Sequence, residues 1–151
     1  MDCARLSHSK DYCAFTLAEK IIKQHEGTRK FPYKCTSNFL TIGVGRNLDT
    51  KGLRDDEISL LLANDIRECA QDLEKFTFWP ELSAIRKAAI LDLRFCVGGQ
   101  GFRGFKRLIK ALDSKDYPLA SQSILDSKFA RQTGKRAADL AYMVTEDAIP
   151  Q

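Results

Sequence analysis

The sequence is poor in the residues from which metal centres are built. It has only two His and five Cys. None of the thiols has the Cys-x-x-Cys spacing of a zinc site; they are Cys3, Cys13, Cys35, Cys69 and Cys96. We therefore expect no metal and no cofactor, and reduced thiols in a cytosolic protein.

Long apolar runs are also lacking. No segment approaches the ~20 apolar residues of a membrane span, and the first eight residues lack the apolar run of a signal peptide. We expect no stable membrane insertion and residence in the cytoplasm of the cell that makes the protein. The net charge of +4 favours polyanionic partners, such as nucleic acid or a bacterial envelope, without choosing between them.

The 151 residues are expected to form one domain that begins with a polar extension over 1–15. Thr16 and Glu19 have the spacing of a helix capping box, which predicts a helix over 16–25. Turn residues and Gly then alternate with apolar and β-branched residues, which predicts a small antiparallel sheet within 26–53.

The remainder of the chain has helical patterns. Apolar residues at intervals of three and four predict a long helix over 54–76, and a second helix over 81–97 is apolar on two faces. Gly98 to Gly101 should interrupt that second helix. Shorter helices are expected over 103–112, 117–127 and 134–145. The pattern indicates an α+β fold, in which the long helix joins the sheet lobe to a helical lobe formed by 16–25 and 77–151.

Glu26 is the candidate for acid chemistry. It is the only acidic residue from His25 to Leu48, a segment that also contains Arg29, Lys30, Lys34 and Arg46. Because the first predicted helix ends where the sheet begins, we expect Glu26 at the junction of the two lobes, where ligand clefts are common.

The spacing of three residues resembles a known family. Glu26, Cys35 and Thr41 are separated by eight and five residues, and Ile-Gly-Val-Gly follows at 42–45. Phage-type lysozymes (glycoside hydrolase family 24) have Glu, eight residues, Asp or Cys, five residues, Thr, then Ile-Gly-x-Gly. Three further segments resemble that family in the same order, namely 86–95, 101–105 and 132–137. The resemblance covers about 16–145 and implies a lysozyme-like α+β fold.

The resemblance also implies roles. Glu26 would protonate the glycosidic oxygen between N-acetylmuramic acid and N-acetylglucosamine. Cys35 would stand in the place of the second catalytic carboxylate, and Thr41 would hold the attacking water. Phe95 matches an aromatic residue that lines the cleft, and Arg136 matches an arginine that pairs with the catalytic glutamate.

The chain departs from the family at 46–47. Arg46-Asn47 replaces a common pair that begins with His. We expect Asn47 to contact sugar and Arg46 to have a supporting role, with Asp65 as its partner. Lysine neighbours such as Lys34 are expected to lower the pKa of Cys35.

The implied protein is a monomeric endolysin that cuts bacterial peptidoglycan, lyses the host cell and does not bind nucleic acid. It would remain in the host cytoplasm until released to the cell wall, and a holin is one route to the wall. Two alternatives stay open: a catalytically inactive wall-binding relative, suggested by Cys35, and a nucleic-acid-binding helical protein, suggested by the basic C-terminal half.

A disulfide is a further expectation from the resemblance. Some membrane-tethered members of the family are held inactive by a disulfide on the catalytic Cys. Cys3 or Cys13 could form such a latch with Cys35, or they could be two chance surface thiols.

Overall fold

The computed structural model describes residues 9–151, with side chains from residue 13 onward. It has a small antiparallel sheet and is otherwise mainly helical, so the predicted α+β class is confirmed. The backbone divides into two compact units, Met1–Ile58 and Ser59–Gln151. No helix within the described range has the length and apolarity needed to cross a membrane.

Helix α1, Ser9–Glu26, is longer than predicted. Thr16 lies inside this helix, so the interpretation of Thr16 and Glu19 as a capping box is wrong. Residues 9–15 contain neither Gly nor Pro, so nothing in them stops the helix. The first eight residues of the predicted extension lie outside the described range, and so does Cys3. Gly27, at a φ of 70°, ends the helix, and its N–H donates to the Lys23 carbonyl at 3.0 Å.

The predicted antiparallel sheet is confirmed. Its strands lie in the order of the sequence: β1 Arg29–Lys34, β2 Leu40–Gly43 and β3 Arg46–Asn47. Thr41 in β2 is opposite Tyr33 in β1 and Asn47 in β3. Directly opposed residues of antiparallel strands project from the same face of a sheet, so these three residues form one row across it.

Six helices follow the sheet, with one 3-10 turn among them. Their bounds are α2 Asp55–Leu73, the 3-10 turn Trp79–Glu81, α3 Ala84–Arg103, α4 Lys106–Asp113, α5 Tyr117–Leu125, α6 Lys128–Thr133 and α7 Lys135–Glu146. The predicted interruption of α3 is present at Gly98, with φ 72° and ψ 167°. Helix α6 was not predicted; Ser127 caps it by accepting from the Ala130 N–H, and Gly134 ends it.

The core of the second unit joins several helices. Fully buried side chains come from α2, α3, α4, α5 and α7; the largest are Phe102, Leu73, Ile90, Leu93, Leu108, Leu112, Ile124 and Val144. Helix α3 contributes three of these, which agrees with the prediction that this helix is apolar on two faces. Because these three residues of α3 face the core, Leu91 and Phe95 lie on the opposite face of the helix, where they are only partly buried.

Arg86 connects the start of α3 to the end of α7. Its guanidinium donates to the carbonyl oxygens of Val144 at 2.8 Å and Thr145 at 3.3 Å. It also lies 3.3 Å from the carboxylate of Asp147 and stacks 3.6 Å above the ring of Tyr117. A cation is favourable at the carbonyl end of a helix, so this contact stabilises the last turn of α7.

Candidate functional site

Glu26 is the last residue of α1, and its side chain is exposed. A Cβ built on Gly45 would lie 3.1 Å from the Glu26 Oε2 atom, so the carboxylate rests close to the backbone of the turn between β2 and β3. Gly45 has a φ of 71°, a conformation that other residues adopt at a cost. The lack of a side chain at Gly45 therefore permits both the positive φ of this turn and the close approach of the Glu26 carboxylate.

Cys35 and Thr41 lie together at the hairpin between β1 and β2. The Cys35 N–H donates to the Phe39 carbonyl at 3.0 Å, and the Asn38 N–H donates to the Cys35 carbonyl at 2.8 Å. These bonds close the turn over Asn38, which has a φ of 63°. Thr41 is only 4% exposed, and its hydroxyl donates to the Phe39 carbonyl at 3.1 Å.

The hairpin lowers the pKa of the Cys35 thiol. The largest cause is a hydrogen bond from the Phe39 backbone; burial opposes it, and further bonds from Ser37 and Thr41 add to it. The direction expected from the sequence is confirmed, but the cause is different. The Lys34 ammonium instead donates to the Asn38 carbonyl at 3.1 Å.

Asn47 is the cross-strand neighbour of Thr41, and its Oδ1 accepts from the Thr50 N–H at 3.0 Å. That bond leaves the two N–H donors of the Asn47 amide available for another partner. The sheet thus brings Asn47 beside Thr41, two of the residues singled out from the sequence.

Arg46 supports the sheet from its other face. Its two terminal nitrogens bind the Glu57 carboxylate at 2.8 and 2.6 Å. The expectation of Asp65 as its partner is wrong. Glu57 also accepts from the Arg54 N–H at 2.8 Å. The start of α2 therefore holds this carboxylate within hydrogen-bonding distance of Arg46. The Arg46 hydrogen bond is the main reason that the pKa of Glu57 is lowered.

The second unit has an apolar groove of about 330 Å³ that contains two more candidates, Phe95 and Arg136; the other residues that line it are Leu62, Ile66, Ala88, Leu91 and Asp92. Phe95 is 43% exposed, so part of its ring is free to contact a ligand. Arg136 Nε donates to Asp92 Oδ1 at 2.8 Å, and this bond is the main cause of a raised Arg136 pKa. The pairing of Arg136 with Glu26 remains a prediction.

A comparison with family models decides the identity of the fold. The model described as Phage lysozyme matches residues 23–142, a range that includes all the candidates from Glu26 to Arg136. The chain belongs to the phage lysozyme family. A curated relative is "Probable T4-type lysozyme 1" of Dictyostelium discoideum, 24% identical over 147 residues that cover 78% of this chain and 86% of the relative. This membership favours lysozyme-like function over nucleic-acid binding.

This member of the phage lysozyme family also contains a buried ionic cluster that the sequence did not predict. Asp72 is 8% exposed and accepts from Arg94 Nε at 2.9 Å and from Arg103. Lys75 lies 3.5 Å away. Burial raises the pKa of Asp72, but the Arg94 hydrogen bond and the nearby cations outweigh it, so that the pKa is lowered. Among the described residues, no group of three His, Cys, Asp or Glu is placed to hold a metal ion.

Proposed function

We propose that this protein hydrolyses the β-1,4 bond between N-acetylmuramic acid and N-acetylglucosamine in bacterial peptidoglycan, with Glu26 as the general acid. The observation that carries the proposal is the position of Glu26. Its carboxylate rests against the Gly45 turn in the sheet that also contains the Cys35–Thr41 pair. Membership of the phage lysozyme family supports peptidoglycan as the substrate.

In the proposed reaction, Glu26 gives its proton to the glycosidic oxygen as the bond from that oxygen to the anomeric carbon breaks. Water attacks the anomeric carbon and loses a proton to the Cys35 thiolate. Both protons are then accounted for: one is on the leaving sugar and one is on the thiol. Glycoside hydrolysis ordinarily divides these two tasks between two carboxylates.

Cys35 is suited to the role of base because its pKa is lowered. A lowered pKa increases the thiolate fraction at neutral pH, and only the thiolate can accept the proton. Thr41 would position the water, since its buried hydroxyl contributes to the lowered pKa of the Cys35 thiol.

Substrate contacts are proposed for Asn47 and Phe95. The free amide donors of Asn47 suit a sugar hydroxyl or an acetamido oxygen. The exposed part of Phe95 offers an apolar ring to the face of a pyranose. Arg46 would position Asn47 indirectly, because its hydrogen bonds to Glu57 hold the strand that contains Asn47. Arg136 would support the acid.

In the cell, the protein would act as a monomeric endolysin. It would remain in the host cytoplasm until it reaches the wall, with a holin as one route, and wall cleavage would then lyse the host. These steps extend the proposed reaction to the cell.

The direct test is to incubate the purified protein with peptidoglycan and to analyse the released muropeptides by mass spectrometry. Fragments that end in reducing N-acetylmuramic acid are expected. Glu26→Gln should lower the rate by about 10²–10⁴-fold, the usual contribution of general acid catalysis, with no change in melting temperature. Glu19→Gln is the matched control, because Glu19 is an exposed acid on the same helix.

Two outcomes would count against the proposal. Release of the opposite reducing end would mean that a different bond is cut. Binding to peptidoglycan with no release of fragments would indicate an inactive wall-binding protein.

A further inference from the structure

Strand β1 exposes an aromatic residue among cations at the edge of the sheet. Phe31 is 79% exposed, and the strand has the sequence Arg-Lys-Phe-Pro-Tyr-Lys. No acidic residue occurs between Glu26 and Asp49. Segments that lie at a membrane interface combine aromatic side chains with Lys and Arg in this way.

The cations of β1 are not neutralised by carboxylates in the described part of the chain. The Arg29 guanidinium lies 4.3 Å above the ring of Tyr33, and Lys34 binds a backbone carbonyl. The ion pairs of the described residues include no partner for Lys30. The positive charge of the strand is therefore available to an external anion.

The edge is unsuited to a peptide partner. A strand that adds to a sheet needs a row of backbone donors and acceptors, and Pro32, in the middle of β1, has no N–H. The features that remain for recognition are a ring that can be buried and charges that can meet anionic headgroups.

We propose that β1 binds the surface of an anionic phospholipid bilayer, with Phe31 in the interfacial layer and the flanking cations on lipid phosphates. This arrangement matches peripheral membrane binding, in which aromatic burial and electrostatic attraction add together. Neither contribution alone gives firm binding, so the association is reversible. It is independent of the proposed hydrolytic activity.

A second basic segment gives a contrast. Helix α4 has Lys106, Arg107 and Lys110 on its surface, but Arg107 is paired with Asp126 at 2.9 Å. Its leucines, Leu108 and Leu112, are buried, and its Ile109 is partly buried. This helix therefore has charge without an exposed anchor, and it provides the charge-matched control.

The experiment is a vesicle partitioning assay on the full chain. Vesicles that contain phosphatidylglycerol and phosphatidylcholine should bind the protein, and vesicles of phosphatidylcholine alone should not. Phe31→Ala should weaken partitioning about tenfold through lost apolar burial, and Lys30→Gln about fivefold through lost attraction. The controls Tyr142→Ala, at an aromatic residue 46% exposed, and Lys110→Gln should partition like the wild type.

A fluorescence measurement on a second variant tests the proposal even if Phe31→Ala does not fold. In Phe31→Trp, the emission in excess of the wild type, whose one indole is the buried Trp79, should shift to shorter wavelength on anionic vesicles and be quenched by brominated lipid. Unchanged emission with bound protein would overturn the proposal. It would also be overturned if Phe31→Ala kept full affinity while Lys30→Gln lost it, because the strand would then be a polyanion site. If the control variants lost as much partitioning, net charge alone would explain the binding, and the proposal would be overturned.

Discussion

The Thr41 hydroxyl donates to the Phe39 carbonyl oxygen at 3.1 Å, and the same hydroxyl contributes to the lowered pKa of the Cys35 thiol. A hydroxyl carries one proton and can donate to only one acceptor at a time. When the thiol is neutral, the carbonyl at 3.1 Å is the better acceptor. The thiolate is a stronger acceptor than the thiol, so we expect the hydroxyl to turn to Cys35 when the thiolate forms.

Thr41→Val should therefore raise the pKa of Cys35. Valine keeps the shape of threonine but cannot donate to the thiolate. The measurement is the rate of Cys35 alkylation against pH, whose midpoint should move upward. Thr41→Ser, which keeps the hydroxyl, should restore the midpoint, and no difference between Thr41→Val and wild type would remove Thr41 from the thiolate site.

Substitution of Cys35 should show whether its thiolate acts as the base or takes no part in the reaction. We expect Cys35→Asp to remain active because it supplies a carboxylate, and Cys35→Ala to lose most activity. Alkylation of the wild type should inactivate it. Cys35 should react faster than Cys69, whose pKa is raised chiefly by burial. Alkylation of Cys96, which is exposed, is controlled by Cys96→Ser; full activity of Cys35→Ala would exclude the thiol from the reaction.

Gly45→Ala should affect activity through Glu26. The new methyl group would lie 3.1 Å from Glu26 Oε2 and would displace the carboxylate. Gly52→Ala is the matched control, because Gly52 has a similar φ of 61° and a methyl group added there would meet no atom within 4 Å. Both should cost about 1 kcal/mol of stability from the backbone conformation.

Only Gly45→Ala should lose muropeptide release well beyond that shared loss of stability. Equal activity of the two alanine variants would show that the close approach at Gly45 has no part in placing Glu26.

Asp72→Asn should destabilise the second unit, because Arg94 and Arg103 lose their anionic partner. We expect about 1–3 kcal/mol in the free energy of unfolding at neutral pH. Asp139→Asn, in a more exposed pair with Lys135, should cost at most about 1 kcal/mol. Both are measured by urea denaturation.

The cost of Asp72→Asn should depend on pH. The pKa of Asp72 is lowered in the folded state, so its contribution is present above the unfolded pKa. That contribution is lost as pH falls through the folded pKa. The wild type and the variant should therefore converge in acid, and a constant difference across pH would contradict an ionised Asp72.

The sequence predicted elements with a strong local signal. The intervals of three and four in α2 and the Gly-punctuated strands gave the correct class of structure because periodicity follows directly from backbone geometry. The start of α1 was missed because the Thr16–Glu19 spacing also occurs inside a helix. Helix α6 was missed because its six residues are too few for a periodic pattern, although Ser127 and Gly134 were readable as its ends.

The sequence likewise predicted some features of the candidate site and missed others. Glu26, Cys35 and Thr41 were found by their spacing, and the sheet brings Asn47 beside Thr41. The partners of Arg46 and Asp72 depend on tertiary structure. The arginines that bind Asp72 are 22 and 31 residues away, and no local pattern relates such distant positions. The source of the lowered Cys35 pKa was likewise backbone N–H groups, which sequence composition cannot reveal.

The contact of Arg86 with the end of α7 bears on how the second unit opens. Helix ends ordinarily fray before the rest of a domain unfolds, but here a side chain 58 residues earlier holds the Val144 carbonyl. Fraying of the last turn of α7 would have to break that bond together with the ion pair between Arg86 and Asp147, while stacking on Tyr117 keeps the Arg86 guanidinium in place. Amide hydrogens in this turn should consequently exchange with solvent at the slow rate of α3, so that the two helices behave as one cooperative unit.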